Sequence, residues 1–399
     1  GVPFLAAVEI LAETPNPVWR MVLAKLLINE MLAVLLAEVL VWVTAVAWRG
    51  PNPAFPRRPV RNELLRLFVP LFALPLCLLT LTQGTLQARH DLEAARTRLH
   101  EVAVAAGQDV DDYVNTHLRA IRTLAAGLEK AGPLDTPTLE PWLELTHGVY
   151  GSFLTMIVAD RQGLVVAAHP TRDQADNPVV ASLANVADRE YFKVPLASGK
   201  AFVSDVFLGR GFGRDPIVAI SAPIRDEQGR VAGIAEGSLD LRALGAISGR
   251  YASLPEIDVV IVDRGDRVIH HGPHGWYAPL QDLRGSALTQ AAAGPASSFL
   301  YGEKTRPGGG LVRYVAAWSR SGEGWRVFAR QPLGVVQRAA ERSFLIGAGL
   351  LLVGILASAA AAGVAAGRAT RPLEQLLDRL RSFSPVDAPG APPNPAPPL

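Results

Sequence analysis

DREYF (188–192), SGKAFVSDVF (198–207) and DPIVAISAPIRDEQGRVAGIAEGSLDL (215–241) decide how this chain is read. In the third stretch two β-prone runs, Pro216 to Ile220 and Val231 to Leu239, flank the turn signal Asp226-Glu227-Gln228-Gly229, which predicts a hairpin. The same device stands upstream, where Phe153 to Ala159 and Leu164 to Ala168 flank Asp160-Arg161-Gln162-Gly163. It returns downstream, where Ile257 to Val262 and Arg267 to His270 flank Asp263-Arg264-Gly265-Asp266. The segments IVADRQGLVV (157–166) and VIVDRGDRVI (260–269) match closely enough to predict two copies of one α+β module. The second copy closes with GWRVFARQPL (324–333), a strand leading directly into a helix.

Outward from this body the chain becomes helical and then apolar. Leu92, Leu99, Val102 and Ala106, then Val110, Val114, Leu118, Ile121, Ala125 and Leu128, recur at steps of three, four and seven. That spacing predicts one long helix ending at Gly132-Pro133, with a stripe that packs on a sheet and against a partner chain. Phe344 to Ala366 and Leu67 to Leu86 are uncharged and near the roughly 20 residues needed to cross a bilayer. Pro70 and Pro75 in the second of these are tolerated in lipid. Leu26 to Ala47 is a third candidate span, interrupted by Asn29, Glu30 and Glu38. Arg49, Arg57, Arg58, Arg61 and Arg66 on one flank, and Arg368, Arg371, Arg379 and Arg381 on the other, place both flanks in the cytoplasm. The segment between about Gln87 and Arg342 is then expected outside the inner membrane, in a multi-pass protein. Residues 1 to 20 open apolar and carry Glu9 and Glu13, unlike a cleaved signal peptide.

Composition agrees with a folded membrane-anchored chain. Of 399 residues, 49% are hydrophobic and 19% charged, which excludes intrinsic disorder. The net charge of +2 gives no reason to expect a nucleic-acid partner. One cysteine, Cys77, excludes an intramolecular disulfide and a thiolate metal cluster. The chain opens on Gly1 and closes on a proline-rich tail, and is read as a piece of a longer protein.

A span, a long helix, two sheet modules and a second span resemble the double Cache sensor domain of bacterial transmembrane receptors and sensor histidine kinases. The resemblance covers roughly Gln87 to Ala340 and is most specific from Asp188 to Leu241. RATRPLEQLLDRLRSF (368–383) is similar to the first helix of a HAMP segment, with a Pro-rich linker from 384 to 399. The expected order is therefore a membrane region (1–66), a span (67–86) and a tandem PAS-like α+β sensor (87–340). A span (344–366) and a signalling helix (367–383) follow. Within the sensor the membrane-distal module covers about 131–250 and the proximal one 251–333.

The resemblance implies a small ligand in the distal module. Arg189 offers a forked donor to a carboxylate, Tyr191, Phe192 and Phe207 offer rings, and Ser204, Asp205, Ser221, Ser238 and Asp240 offer polar partners. If the piece around Arg189 is extended, Arg189 and Tyr191 share a face; the alternative is a helix capped by Asp188 and Arg189. The amino-acid-binding subgroup uses an Arg, a Trp-Tyr pair, a further Tyr and an Asp. Here Tyr191 and Phe192 replace the pair, Phe207 the second Tyr, and Ser238 the Asp that meets the ligand ammonium. Loss of that Asp argues against an ordinary α-amino acid, with Asp240 as the substitute after a register shift, and leaves a carboxylate or another small polar ligand.

Other patterns point elsewhere or nowhere. GRGFG (209–213) precedes a strand rather than a helix and is read as a loop, not a phosphate cradle. His270, His271 and His274 are read as a turn without a metal, and no motif calls for a cofactor or marks a catalytic centre. The leading expectation is a receptor that forms a homodimer, contacts lipid and relays binding to an output beyond Leu399. That output is most simply a histidine kinase, with a diguanylate cyclase or chemoreceptor domain as the alternatives. A membrane-anchored enzyme or transport component using Glu30 and Glu38 is the second reading.

Overall fold

The computed structural model describes residues 19–47, 60–132, 134, 136–172, 185–210, 215–251, 254, 256–304 and 310–382. Two compact units result, one comprising Asp91–Val336 and the other the described residues up to His90 with those from Gln337 onward.

The first unit is built on helix α2 (Val60–Ala131), to which it contributes the part from Asp91. Leu99, Ala106, Val110, Val114, Ile121, Ala125 and Leu128 are all buried, as the stripe requires. They pack in one core with the rear faces of two antiparallel sheets, with Met156, Val158 and Val218 from one and Val259, Ile261 and Val327 from the other. The stripe is thus covered by the chain's own sheets. That corrects the expectation that the same stripe also faces a partner.

Among the described residues the first sheet has six strands: β1 (Phe153–Asp160), β2 (Val165–His169), β3 (Phe202–Val203), β4 (Phe207–Leu208), β5 (Pro216–Arg225) and β6 (Val231–Asp240). Their order is β2-β1-β6-β5-β3, with β4 also on β5. The second sheet, β7 (Asp258–Val262), β8 (Val268–His271), β9 (Ser298–Lys304), β10 (Leu311–Arg320) and β11 (Arg326–Pro332), has the order β8-β7-β11-β10-β9. Substituting β7 for β1, β8 for β2, β9 for β3, β10 for β5 and β11 for β6 converts one order into the other. The chain holds two copies of one α+β module, as the paired turn motifs predicted.

Pro223 lies inside β5, where a proline would break a central ladder. It is tolerated because β3 pairs β5 only as far as Ser221, leaving that side of Pro223 without a strand. Helix α3 (Thr136–Val149) precedes β1, α4 (Glu190–Ser198) covers the front of the first sheet, and a 3-10 turn (Leu241–Leu244) and α5 (Gly245–Tyr251) join the modules. Helix α6 (Ala287–Ala292) covers the front of the second sheet.

In the other unit, α1 (Trp19–Ala47) and the start of α2 pack with α7 (Leu333–Ser382) through Ile28, Leu35, Ala73, Cys77, Phe344 and Leu351. Two helices among the described residues contain windows apolar and long enough to cross a membrane, Val69–Ala131 and Leu333–Ala365. In helix α1, Glu30 is exposed. The Pro-rich tail from 384, and Gly211 to Gly213 of GRGFG, lie outside the described residues.

Candidate ligand-binding site

Strand pairing sets the chemistry of the first module's front face. Thr155 stands opposite Ser238, and Ser238 opposite Ala219; Ile157 stands opposite Glu236, and Glu236 opposite Ser221. Directly opposed residues point to the same side of a sheet. Alternate residues such as Met156, Val158 and Val218 go to α2. Val186, Tyr191 and Phe192, from α4 and the segment before it, cover the front face.

Between this cover and the sheet lies a cavity of about 190 Å³ whose lining includes Thr155, Asn185, Arg189, Tyr191, Glu236 and Ser238, with Phe207 and Arg210 at its side. A second cavity of about 260 Å³ adjoins it, lined by Asp188, Arg189, Glu190, Tyr191, Ser204, Asp205, Phe207 and Arg267. Arg189, Tyr191 and Phe207 belong to both. The Arg189 guanidinium lies 5.2 Å from the centre of the Phe207 ring, and Tyr191 stacks on that ring at 5.8 Å. This places a cation on the face of an aromatic wall.

Glu236 is the residue the sequence reading missed. It is 2% exposed, lines the smaller cavity, and accepts a hydrogen bond of 2.8 Å from the Ser238 hydroxyl. Among the described residues no ion pair reaches it. Burial pushes its carboxyl up to about 8, against which the Ser238 bond is a smaller opposing effect. Burial also raises the Tyr191 phenol, with the nearby Glu236 charge adding to it. The signal was available: an acid two residues before Ser238 on a strand must share its face.

Of the nine expected site residues, Arg189, Tyr191, Phe207 and Ser238 meet at the smaller cavity, and Ser204 and Asp205 at its neighbour. Arg189 is the residue before α4, at φ −84° and ψ 143°, so Arg189 and Tyr191 converge at a helix start rather than along a strand. Neither Asp188 nor Arg189 caps that helix with its side chain: Asp188 pairs with Arg210 at 3.0 Å on the rim. Phe192 is packed in the core with Val165, Ala219 and Ile234. Ser221 is fully buried, and its hydroxyl has no hydrogen-bond partner among the described residues. Asp240 caps the 3-10 turn, accepting from the backbone N–H and Nε of Arg242, both at 2.9 Å. It lines neither cavity, so the register shift invoked for it does not occur.

The larger cavity is closed by the second module. Asp263, fully buried at the β7–β8 turn, accepts from the N–H of Val206 at 3.3 Å and from Arg267 Nε at 3.1 Å. Arg264 bonds Asp205 at 2.7 Å and the Val203 carbonyl at 2.8 Å. The segment Val203 to Val206, just before Phe207, is thereby bonded to the second module.

Comparison with known proteins follows from this architecture. No curated protein matches the chain. In fold the chain is similar to the ligand-binding domain of the Campylobacter jejuni chemoreceptor Tlp3 in complex with L-norvaline. That match has 13% identity and a TM-score of 0.49, over 62% of this chain and 95% of that one. It is similar to the ligand-binding domain of the Pseudomonas aeruginosa PAO1 amino acid chemoreceptor PctB in complex with L-Arg, with 18% identity and a TM-score of 0.46, over 60% and 96%. A third such domain, of the Pseudomonas fluorescens chemoreceptor CtaA in complex with L-alanine, matches with 13% identity and a TM-score of 0.47, over 60% and 97%. The Cache domain family profile matches residues 88–340, the long helix and both modules, and with more than half its length matched this chain belongs to the Cache domain family of sensor domains.

Proposed function

We propose that this chain is the input part of a bacterial inner-membrane receptor whose Cache domain binds a small zwitterion outside the cell. The observation that carries the reading is Glu236, a buried carboxylate in the same cavity as Arg189 that has no ion pair among the described residues. A desolvated acid either keeps its proton or meets a cation. A ligand with a carboxylate for Arg189 and an ammonium for Glu236 satisfies both ends. Position 236 then supplies the anion that Ser238 lacks, which returns amino acids to the candidate ligands.

Two apolar helices support anchoring on either side of the sensor, and the arginine-rich flanks support the sensor-outside orientation. The HAMP-like helix from Arg368 would relay the signal to an output beyond Leu399, a histidine kinase before a cyclase or chemoreceptor domain. Ligand binding would bias two packings of α2 and α7 only by its differential affinity for them. A thermal-shift screen of the full chain in nanodiscs against amino acids, amines and organic acids tests the ligand class. Amino acids should raise Tm, and both Arg189→Ala and Glu236→Gln should remove the shift. Shifts from monocarboxylates alone, indifferent to Glu236→Gln, would reject the zwitterion.

A further inference from the structure

Both copies of the module carry the same acid-and-glycine turn, and the second copy puts it to an additional use. Asp160 and Asp263 each accept, through Oδ1, the backbone N–H groups two and four residues further on. Among the described residues Asp160 makes no other side-chain hydrogen bond. Asp263 also accepts through Oδ2, from Arg267 Nε at 3.1 Å and from the N–H of Val206 in the first module at 3.3 Å. Asp263 and Val206 are both fully buried, so that N–H depends on Asp263 for its partner. Arg264, the next residue of the turn, also crosses to the first module. It bonds Asp205 and the Val203 carbonyl, and its guanidinium lies 5.7 Å from the centre of the Phe202 ring.

Each side of this contact is bonded to a part of the chain that matters for signalling. Phe207 follows Val206 directly, pairs with Ile217 of β5, and holds Arg189 and Tyr191 against its ring at the wall of both first-module cavities. Asp266, at the far end of the turn, pairs with Arg326 of β11. Strand β11 ends at Pro332, and α7 begins at Leu333 with no loop between them. Hydrogen bonds tolerate little stretching: a shift of about 1 Å in Val206 breaks its bond unless the turn follows. A movement of the Phe207 wall therefore has a bonded route to the strand that continues into the last helix.

We propose that the β7–β8 turn is the coupling element of the sensor. Asp263 and Arg264 position the Phe207 wall from the second module, and occupation of the first-module cavity is passed through them to β11 and α7. Neither residue lines a first-module cavity, so both act through Val203 to Val206 rather than on the ligand. The assignment rests on the first-module cavity being the ligand site. Coupling is reciprocal, so a turn that senses this cavity also sets its affinity.

Hydrogen exchange of the full chain in nanodiscs, read by mass spectrometry, tests this with a mixture of the proteinogenic L-amino acids as the probe. In the native chain the probe should slow exchange both over the cavity cover, Arg189 to Phe192, and in the turn from Asp263 to Arg267. Arg264→Ala, at a half-buried position, leaves the bonds of Asp263 in place. It should keep the protection of the cover at saturating probe, lose that of the turn, and weaken binding about fivefold or more. A native chain protected over the cover alone, or an Arg264→Ala turn protected as in the native chain, would overturn the proposal. If the probe leaves the cover unprotected, the zwitterion reading fails and the probe-free chain decides the coupling. Phe207→Ala, also half-buried, should then speed exchange in the turn and leave α6 as it was, and an unchanged turn would overturn the coupling.

Discussion

With its carboxyl pushed from 4.5 up to about 8 by burial, Glu236 holds its proton in the empty folded chain through a range where the unfolded chain has lost it. The folded state then binds more protons, so stability falls as pH rises between those values, by up to about 1.4 kcal/mol per pH unit for one group. Chemical denaturation of the ligand-free chain from pH 6.5 to 8 should show that decline, and Glu236→Gln should flatten it. His270 contributes with the opposite sign. Burial holds its imidazole down at about 4, with the His271 charge adding to it, so stability is lost as pH falls from 6.5 towards 4. The two windows overlap between pH 4.5 and 6.5, where their slopes oppose, so the Glu236 effect stands alone above pH 6.5. Arg330 makes a further point at this scale. Its removal leaves Asp258, buried, and Glu303, half-buried, without their cation, and Arg330→Ala should cost about 3–5 kcal/mol in equilibrium unfolding.

At the scale of elements, Gly237 shows why β1, β6 and α2 approach so closely. A Cβ there would stand 2.5 Å from the Phe153 ring and 2.9 Å from Ile121. Gly237→Ala should therefore destabilise by about 1–3 kcal/mol through overpacking, read from the denaturation midpoint at unchanged slope. The hairpins were legible because each carries an acid-and-glycine turn between β-prone runs. Helix α2 was legible because its apolar stripe extends over many turns. Helix α3 was not, since Pro137 and Pro141 are poor helix signals in so short a stretch, and α6, at six residues, is too short to show a period. Helix α4 has Pro195 inside nine residues and was one of two readings left open. The site suffered from a different cause. Ser238 at the position of the ammonium-binding Asp points forward to Asp240, whereas strand alternation allows position 236 equally and burial favours it. Asp240 is held by a local turn that the strand pattern could not reveal.

For the whole molecule, orientation and assembly are the accessible questions. A periplasm-dependent reporter should be active when fused at Gly132 and silent after Ser382; the reverse would invert the receptor. A homodimer cannot be tested at Leu99, Val102 or Val110, which are buried against the chain's own sheets. Cysteines at Val104 and Asn115, on the exposed side of α2, should crosslink between chains in membranes if the dimer forms along this helix. The central claim is that one ligand joins Arg189 to Glu236, and calorimetry on the full chain in nanodiscs reaches it most directly. The amino acid giving the largest Tm shift is titrated into the native chain, Arg189→Ala and Glu236→Gln at pH 6 and pH 8. The account predicts tighter binding by the native chain at pH 8, where Glu236 ionises more readily, and a loss of about thirtyfold or more in each variant. Equal affinity in all three proteins at both pH values would contradict it.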